Sequence, residues 1–199
     1  MLRSLSATWI RRVIAVCLSG AFFAGSAQSA TILIDGPMGG GFQVQAYAAS
    51  GQSFVALGQS LTQIGFHVAD WNAFFNDPTF TMELRAGSGT GGALLGSATV
   101  TPGRGFYGFA TTTDLNGIAL IEGNQYTALI LNDTPEWGYD ITSTDVYAGG
   151  NAFVSDGTMP YDLLFMASFV DSSSVPEPAS LALFGLGLFA VAASRRRKQ

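Results

Sequence analysis

Hydrophobic and polar residues alternate with a period of two along most of the chain between residues 31 and 174. The alternation, or a nearly continuous apolar pattern, occurs in five runs: residues 42–47, 63–68, 80–85, 126–131 and 161–169. A period of two indicates strands that bury one face and expose the other. The run at 126–131 is apolar at nearly every position, which indicates a strand covered on both faces.

Glycine-rich segments separate these runs, and we interpret them as turns. They are residues 36–41, 87–92, 103–108 and 149–151. No stretch between residues 31 and 174 shows a helical period of useful length. Short strands joined by turns, without helices between them, predict an all-β domain at residues 31–170. We expect a two-sheet antiparallel sandwich that is jelly-roll-like.

The first thirty residues have the features of a secretory signal. Basic residues at positions 3, 11 and 12 precede an apolar run at 13–24, and small residues follow at 25–30. This order predicts a signal peptide over residues 1–30 that forms a signal helix and is removed by signal peptidase. Cleavage after Ala27, Ser29 or Ala30 fits the small residues.

Cys17 offers an alternative, because a cysteine near the N-terminus can mark a lipoprotein. Val16 stands before it where a small residue is needed, so the signal-peptide interpretation is favoured. Cys17 is the sole cysteine of the chain and lies in the predicted signal, so we expect no disulfide in the mature domain. About 144 residues are enough to form a stable hydrophobic core without one.

The C-terminal end has three parts in order. A polar and proline-containing linker at residues 171–178 leads into an uncharged apolar segment at 179–194, and a basic tail follows at 195–199. The apolar segment predicts a transmembrane helix of about 24 Å against a hydrocarbon core of about 30 Å. The basic residues predict a cytoplasmic tail with the domain outside.

This C-terminal end resembles the PEP-CTERM sorting signal, which membrane proteases called exosortases recognise in Gram-negative bacteria. The motif residues are Val175, Pro176, Glu177 and Pro178, and the residues of the basic stop are Arg195, Arg196, Arg197 and Lys198. The resemblance implies that exosortase is a partner and that the chain is cut near the motif. It also implies export, with inner-membrane anchoring before processing and a cell-envelope or extracellular location afterwards. The alternative is an ordinary membrane anchor that is never processed.

The central features also resemble a domain that is common in secreted bacterial proteins, over roughly residues 52–169. The similar segments are Gln52-Ser53-Phe54, Leu61–Ile64, Leu95-Gly96, Gly123–Thr127, Tyr147–Gly150 and Asp162–Phe165. This resemblance implies a fold and no particular activity.

The net charge of the chain is −5, but the basic residues are concentrated at its ends. Residues 31–174 hold two arginines, Arg85 and Arg104, against thirteen acidic residues, a formal charge of −11. Phosphate backbones would repel such a domain, so we expect no nucleic-acid binding.

Few residues suggest catalysis. His67 is the sole histidine and alternates with Phe66 and Val68, so we interpret it as a surface histidine. The glycines at 87–92 match the spacing of a dinucleotide-binding fingerprint, but no helix follows to hold phosphate, and a hairpin loop is the better interpretation. We therefore expect no enzymatic activity. If the domain were an enzyme, a polysaccharide hydrolase with paired carboxylates would be the candidate, and it ranks behind the two non-enzymatic functions given below. Nothing in the sequence selects one pair of carboxylates.

Two weaker signals lie in one segment near the end of the domain. Four acidic residues suggest a calcium site: Asp133, Glu136, Asp140 and Asp145. Calcium prefers six to eight oxygen ligands, and a solvated acidic loop is the alternative. We expect no other cofactor.

Three aromatic residues there are candidates for stacking on sugar rings: Trp137, Tyr139 and Tyr147. Trp71, Phe74 and Phe75 form a second aromatic group, and closure of the sandwich core is the alternative role for all six. The sequence as a whole predicts an exported structural or adhesive protein associated with exopolysaccharide. A carbohydrate-binding module is the second interpretation.

Overall fold

The computed structural model describes residues 28–72, 79–155 and 157–171. These residues form twelve strands: β1 (Ser29–Ile34), β2 (Met38–Gln43), β3 (Ser50–Val55), β4 (Ser60–Asp70), β5 (Phe80–Ala86), β6 (Leu94–Val100), β7 (Tyr107–Thr112), β8 (Gln125–Leu131), β9 (Trp137–Thr142), β10 (Ala152–Val154), β11 (Gly157–Thr158) and β12 (Phe165–Val170). A short 3-10 turn covers Gln45–Tyr47.

Several predicted features lie outside the described residues. They are most of the signal peptide, the aromatic residues Phe74 and Phe75, the motif Val175–Pro178, the segment 179–194 and the basic residues Arg195–Lys198. In the part of the chain that the structure describes, no helix is long and apolar enough to cross a membrane.

The strands form two antiparallel sheets. Sheet A has the order β1-β12-β4-β9-β2, with β7 paired to the other edge of β4. Sheet B has the order β11-β10-β3-β8-β5-β6. The prediction of an all-β, two-sheet antiparallel fold is confirmed.

The core lies between the sheets, where the alternating apolar positions meet. Phe66 on β4 and Phe165 on β12 point inward from sheet A, with ring centroids 5.2 Å apart. Phe54 on β3 of sheet B lies against Phe165 and Phe169 at 5.4 and 5.8 Å. Each of these rings is fully buried, so the predicted inward faces of residues 63–68 and 161–169 are confirmed.

Strand β8 is covered on both faces, as its apolar run predicts. Thr127 points away from the core and is still buried, because its hydroxyl donates to the Gly87 carbonyl oxygen at 2.8 Å and accepts from the Gly89 N–H at 2.9 Å. The glycine-rich segment 87–92 therefore folds back over β8 as the loop of the β5–β6 hairpin. No helix follows it, so the hairpin interpretation is confirmed.

One predicted turn is a strand. The glycine-rich segment 36–41 contains most of β2, which pairs with β9 at the edge of sheet A. Its glycines permit a close approach, since a Cβ at Gly39 would lie 2.5 Å from the Thr142 carbonyl oxygen. The strand predicted at 42–47 correspondingly ends at Gln43, and the 3-10 turn replaces its second half.

The domain begins earlier than the predicted boundary at residue 31. Strand β1 starts at Ser29, which pairs with Val170 of β12, and the Asp171 N–H donates to the Gln28 carbonyl oxygen at 3.2 Å. The predicted signal peptide over residues 1–30 therefore overlaps the first two residues of β1.

Candidate functional site

Two polar residues pair on the outer surface of sheet A. The His67 Nδ1 and Asp140 Oδ2 atoms lie 2.7 Å apart, with the ring N–H donating to the carboxylate. The sheet register explains this contact: the inward-facing Val68 and Tyr139 are partners on β4 and β9, so the neighbouring residues His67 and Asp140 meet on the outer face. Their side chains are 13% and 10% exposed.

Aromatic rings enclose His67 from strand β7. The Tyr107 and Phe109 rings lie nearly perpendicular to the imidazole, with centroid distances of 4.9 and 5.2 Å and interplanar angles of 85° and 88°. The interpretation of His67 as a surface histidine therefore needs correction. It does point away from the core, but its ring is mostly covered and its Nδ1 is bonded to a carboxylate.

Trp71 lies over the neighbouring part of the same face. A Cβ at Gly138 would lie 2.2, 2.4 and 2.6 Å from three indole atoms, and a Cβ at Gly41 would lie 2.9 Å from the indole Cζ2. Side chains at Gly138 and Gly41 are excluded, and the indole occupies that space. Trp71 itself has 47% of its surface exposed to solvent.

The backbone at Trp71 is held by its neighbours. The Trp71 N–H donates to the Glu136 carbonyl oxygen at 2.7 Å. The Asp70 carboxylate accepts from the Gly105 N–H at 2.7 Å and the Asn72 N–H at 3.2 Å. These bonds fix the end of β4, where the chain turns to place the indole on the sheet.

Tyr107 is the most exposed ring of the group, at 64%. Its hydroxyl donates to the Met38 sulfur on β2 at 3.6 Å, so the ring extends from β7 across the face. We call the outer surface formed by Trp71, Tyr107, Phe109, His67 and Asp140 the aromatic face.

Trp137 and Tyr139, two of the predicted stacking residues, are not on this face. They alternate with Gly138 and Asp140 along β9 and point inward, where both are fully buried. Trp137 lies edge-on to Phe80 at 5.4 Å, and the Tyr139 hydroxyl donates to Ser50 Oγ at 2.9 Å. Their burial contradicts the exposure that sugar stacking requires, and they close the core instead.

Tyr147, the third predicted stacking residue, packs against its own domain. Its hydroxyl accepts the Val55 N–H at 3.2 Å, and its ring fills the space beside Gly149, where a Cβ would lie 2.5 Å from the phenol. Burial raises the pKa of this hydroxyl above its ordinary value, and the bond from Val55 partly opposes the shift.

The four predicted calcium ligands point in different directions. Asp140 pairs with His67, Glu136 is buried, and Asp133 and Asp145 are exposed. Within residues 28–72, 79–155 and 157–171, no group of three or more His, Cys, Asp or Glu side chains is placed to hold a metal ion. The structure does not bring the predicted calcium ligands together.

The sequence pattern groups Trp71 with the aromatic residues Phe74 and Phe75. It does not indicate that Tyr107 and Phe109 lie beside His67, or that Asp140 pairs with it. A partial signal exists in β9, where Trp-Gly-Tyr-Asp-Ile-Thr alternates large apolar residues with small or polar ones. That alternation assigns Trp137 and Tyr139 to the core and leaves Gly138 and Asp140 outside.

Comparison with known families identifies the C-terminal end. Residues 174–198 match the PEP-CTERM protein-sorting motif, which includes Val175–Pro178 and Arg195–Lys198. The match covers about an eighth of the chain and confirms the sorting signal predicted from the sequence. It implies an exported protein that is targeted to exosortase and anchored in the membrane before processing. No curated protein matches the chain.

Proposed function

We propose that this chain is an exosortase-processed protein of the cell surface or extracellular matrix, with a structural or adhesive role and an association with exopolysaccharide. The observation that carries the proposal is the sorting motif directly after a β-sandwich. Strand β12 ends at Val170, and the matched motif begins at residue 174. Such an arrangement suits a protein whose folded domain is delivered outside the cell.

One contact supports a role without catalysis. Nucleophilic catalysis needs a hydroxyl or thiol within hydrogen-bond reach of its base. His67 is the sole histidine of the chain, and its Nδ1 is bonded to the Asp140 carboxylate, so its Nε2 is the atom that a nucleophile would have to reach. The nearby Tyr107 hydroxyl is bonded to the Met38 sulfur instead.

The negative charge of the domain favours association with an uncharged polysaccharide over an acidic one. With a formal charge of −11 over residues 31–174, the domain repels strongly acidic polymers at low ionic strength. A neutral polysaccharide carries no such penalty.

Fractionation of the native host tests this proposal. We expect the protein in the exopolysaccharide matrix of the wild-type host, and in the inner membrane of a host that lacks exosortase. Recovery of the protein from the inner membrane of both hosts would contradict the proposal, since an ordinary anchor does not depend on exosortase.

A carbohydrate-binding module is the second candidate, and the exposed rings of the aromatic face favour it. The two functions are compatible, because adhesion to a matrix requires a surface that binds it.

A further inference from the structure

We propose that the aromatic face binds a neutral polysaccharide chain, with Trp71 and Tyr107 stacking on sugar rings and Asp140 and His67 bonding to hydroxyls. This inference rests on the proposed function and deepens it, because it assigns adhesion to one surface of sheet A. It also replaces the buried residues Trp137 and Tyr139 as the stacking groups.

Stacking on a sugar needs an aromatic ring with one supported face and one free face. The indole of Trp71 meets this condition. The three indole atoms nearest to a Cβ at Gly138 lie at similar distances of 2.2–2.6 Å, so the glycine faces the plane of the ring and not its edge. Since 47% of the residue is exposed, the opposite plane faces solvent.

The support under Trp71 is rigid, which lowers the entropic cost of binding. Gly138 and Gly41 belong to paired strands in the interior and at the edge of sheet A. The indole is therefore already placed before a ligand arrives. The exposed Tyr107 ring has one hydrogen bond, from its hydroxyl to the Met38 sulfur at 3.6 Å.

Polar groups lie beside these rings, as recognition of a sugar requires. Asp140 Oδ1 and the Trp71 Cζ2 each lie 2.9 Å from the position of a Cβ at Gly41, so the carboxylate is at the edge of the indole. On the other side, the His67 ring contacts Tyr107. Sugar hydroxyls can donate to the carboxylate and bond with the imidazole between the two rings.

The charge distribution selects the class of polysaccharide. Asp140 lies on this face and Asp70 lies at its border, where it accepts the Gly105 N–H; the domain as a whole carries two arginines, Arg85 and Arg104, against thirteen acidic residues over residues 31–174. An acidic polysaccharide would be repelled, whereas a neutral one presents hydroxyl donors that complement the carboxylates. The small size of the aromatic group also argues against a stable contact with a second copy of the chain, which needs a larger buried area.

Binding of soluble neutral polysaccharides to the full-length protein in detergent tests the inference. The probes are hydroxyethyl cellulose, dextran and the host's own exopolysaccharide, with alginate as the acidic comparison. We expect at least one neutral probe to bind and alginate not to bind. The Trp71→Ala and Tyr107→Ala variants should each weaken that binding about tenfold or more. Leu33→Ala, at an exposed position on the outer face of β1 in the same sheet, should leave it unchanged.

Tryptophan fluorescence supplies a second measurement that does not depend on affinity alone. In a Trp9→Phe background, the emitting residues are the exposed Trp71 and the buried Trp137. Sugar binding should protect the emission from acrylamide quenching, and Trp71→Phe should abolish the protection. Trp71→Phe keeps a ring over Gly138, so it serves if Trp71→Ala fails to fold, with the thermal unfolding midpoint as the check.

Three results would overturn the inference. The first is unchanged binding in the Trp71 and Tyr107 variants, and the second is absence of binding to every neutral probe. The third is self-association through this face, seen as a dimer in wild type that Tyr107→Ala converts to monomer. If the protein still fractionates with the matrix in any of these cases, the proposed function stands and only the binding face is rejected.

Discussion

Gln52 and Asp162, 110 positions apart in the sequence, share a buried hydrogen bond between the two sheets. The Gln52 Nε2 donates to the Asp162 Oδ1 at 2.9 Å, and the Gln52 Oε1 accepts the Leu163 N–H at 3.0 Å. Gln52 lies on β3 of sheet B, whereas Leu163 bridges to Ile141 of sheet A. The two residues lie near opposite ends of the domain along the sequence, and the structure joins them.

The same carboxylate also holds the loop after β9. The Asp162 Oδ2 accepts the Val146 and Tyr147 N–H groups at 2.8 and 2.9 Å. Asp162 is fully buried, and its removal takes this acceptor from the part-buried Val146 and Tyr147 N–H groups and from the buried Gln52 Nε2, which keeps only its longer bond to the Ser53 carbonyl oxygen.

We therefore expect Asp162→Ala to lower the free energy of unfolding by about 3 kcal/mol, measured by urea denaturation. Asp145→Ala removes the same charge from an exposed position in the neighbouring loop and is the matched control. It should change stability by less than about 0.5 kcal/mol. Equal effects of the two substitutions would show that charge and not the buried network is responsible.

A substitution at Gly138 tests the contact between this glycine and the indole of Trp71. We expect Gly138→Ala to destabilise the domain by about 1–3 kcal/mol, because its Cβ would lie 2.2 Å from the indole and force the ring away. The increase in Trp71 exposure can be followed by acrylamide quenching in the Trp9→Phe background.

Gly91→Ala is the control for this substitution, since a Cβ there meets no atom within 4 Å. It should be neutral or slightly stabilising through the unfolded state. Unchanged quenching of Trp71 in Gly138→Ala would contradict the contact between the indole and the glycine.

Tyr139 predicts a specific loss of stability at alkaline pH. Burial raises the pKa of its hydroxyl well above the ordinary value of 10.0, and the hydrogen bond to Ser50 only partly offsets this effect. The unfolded state loses the proton near pH 10 while the folded state keeps it. The contribution of Tyr139 is thus fully present below pH 10 and is lost as pH rises further, by about 1.4 kcal/mol per pH unit.

Tyr139→Phe should make the alkaline loss of stability shallower by about that slope, measured as unfolding free energy from pH 9 to 11. At neutral pH the same substitution should cost about 1 kcal/mol through the lost hydrogen bond. Tyr107→Phe, at an exposed ring, is the control. An alkaline slope that is identical in wild type and Tyr139→Phe would contradict the assignment.

The register of β1 selects one signal-cleavage site among three. Cleavage after Ala27 keeps Gln28, whose carbonyl oxygen accepts the Asp171 N–H, and Ser29, which pairs with Val170. Cleavage after Ala30 would remove both. We expect N-terminal sequencing of the exported protein to begin at Gln28, and a start at Thr31 would contradict this account.

The sequence predicts the sheets better than the aromatic face, and particular residues explain the difference. Alternation around Phe66 and Phe165 predicts their inward direction, because burial of one strand face depends on local parity. The contact of Trp71 with Gly138 depends on strand order instead. Strands β4 and β9 are neighbours in sheet A although four strands lie between them along the chain.

The glycines of segment 36–41 also show that local sequence does not determine which strands pair. Their abundance predicts a turn, yet in the structure they permit the close pairing of β2 with β9. The sorting signal could be predicted from sequence because its parts follow one another along the chain and need no tertiary contact to be recognised.

Exosortase processing is the central claim of this account, and intact-mass measurement of the protein from the native host tests it most directly. We expect the secreted and envelope forms to lack residues 181–199. The Pro176→Ala, Pro178→Ala double variant should retain them and stay in the inner membrane, because the motif is lost while the apolar segment remains. A secreted wild-type protein whose mass includes the full C-terminus to Gln199 would contradict the claim.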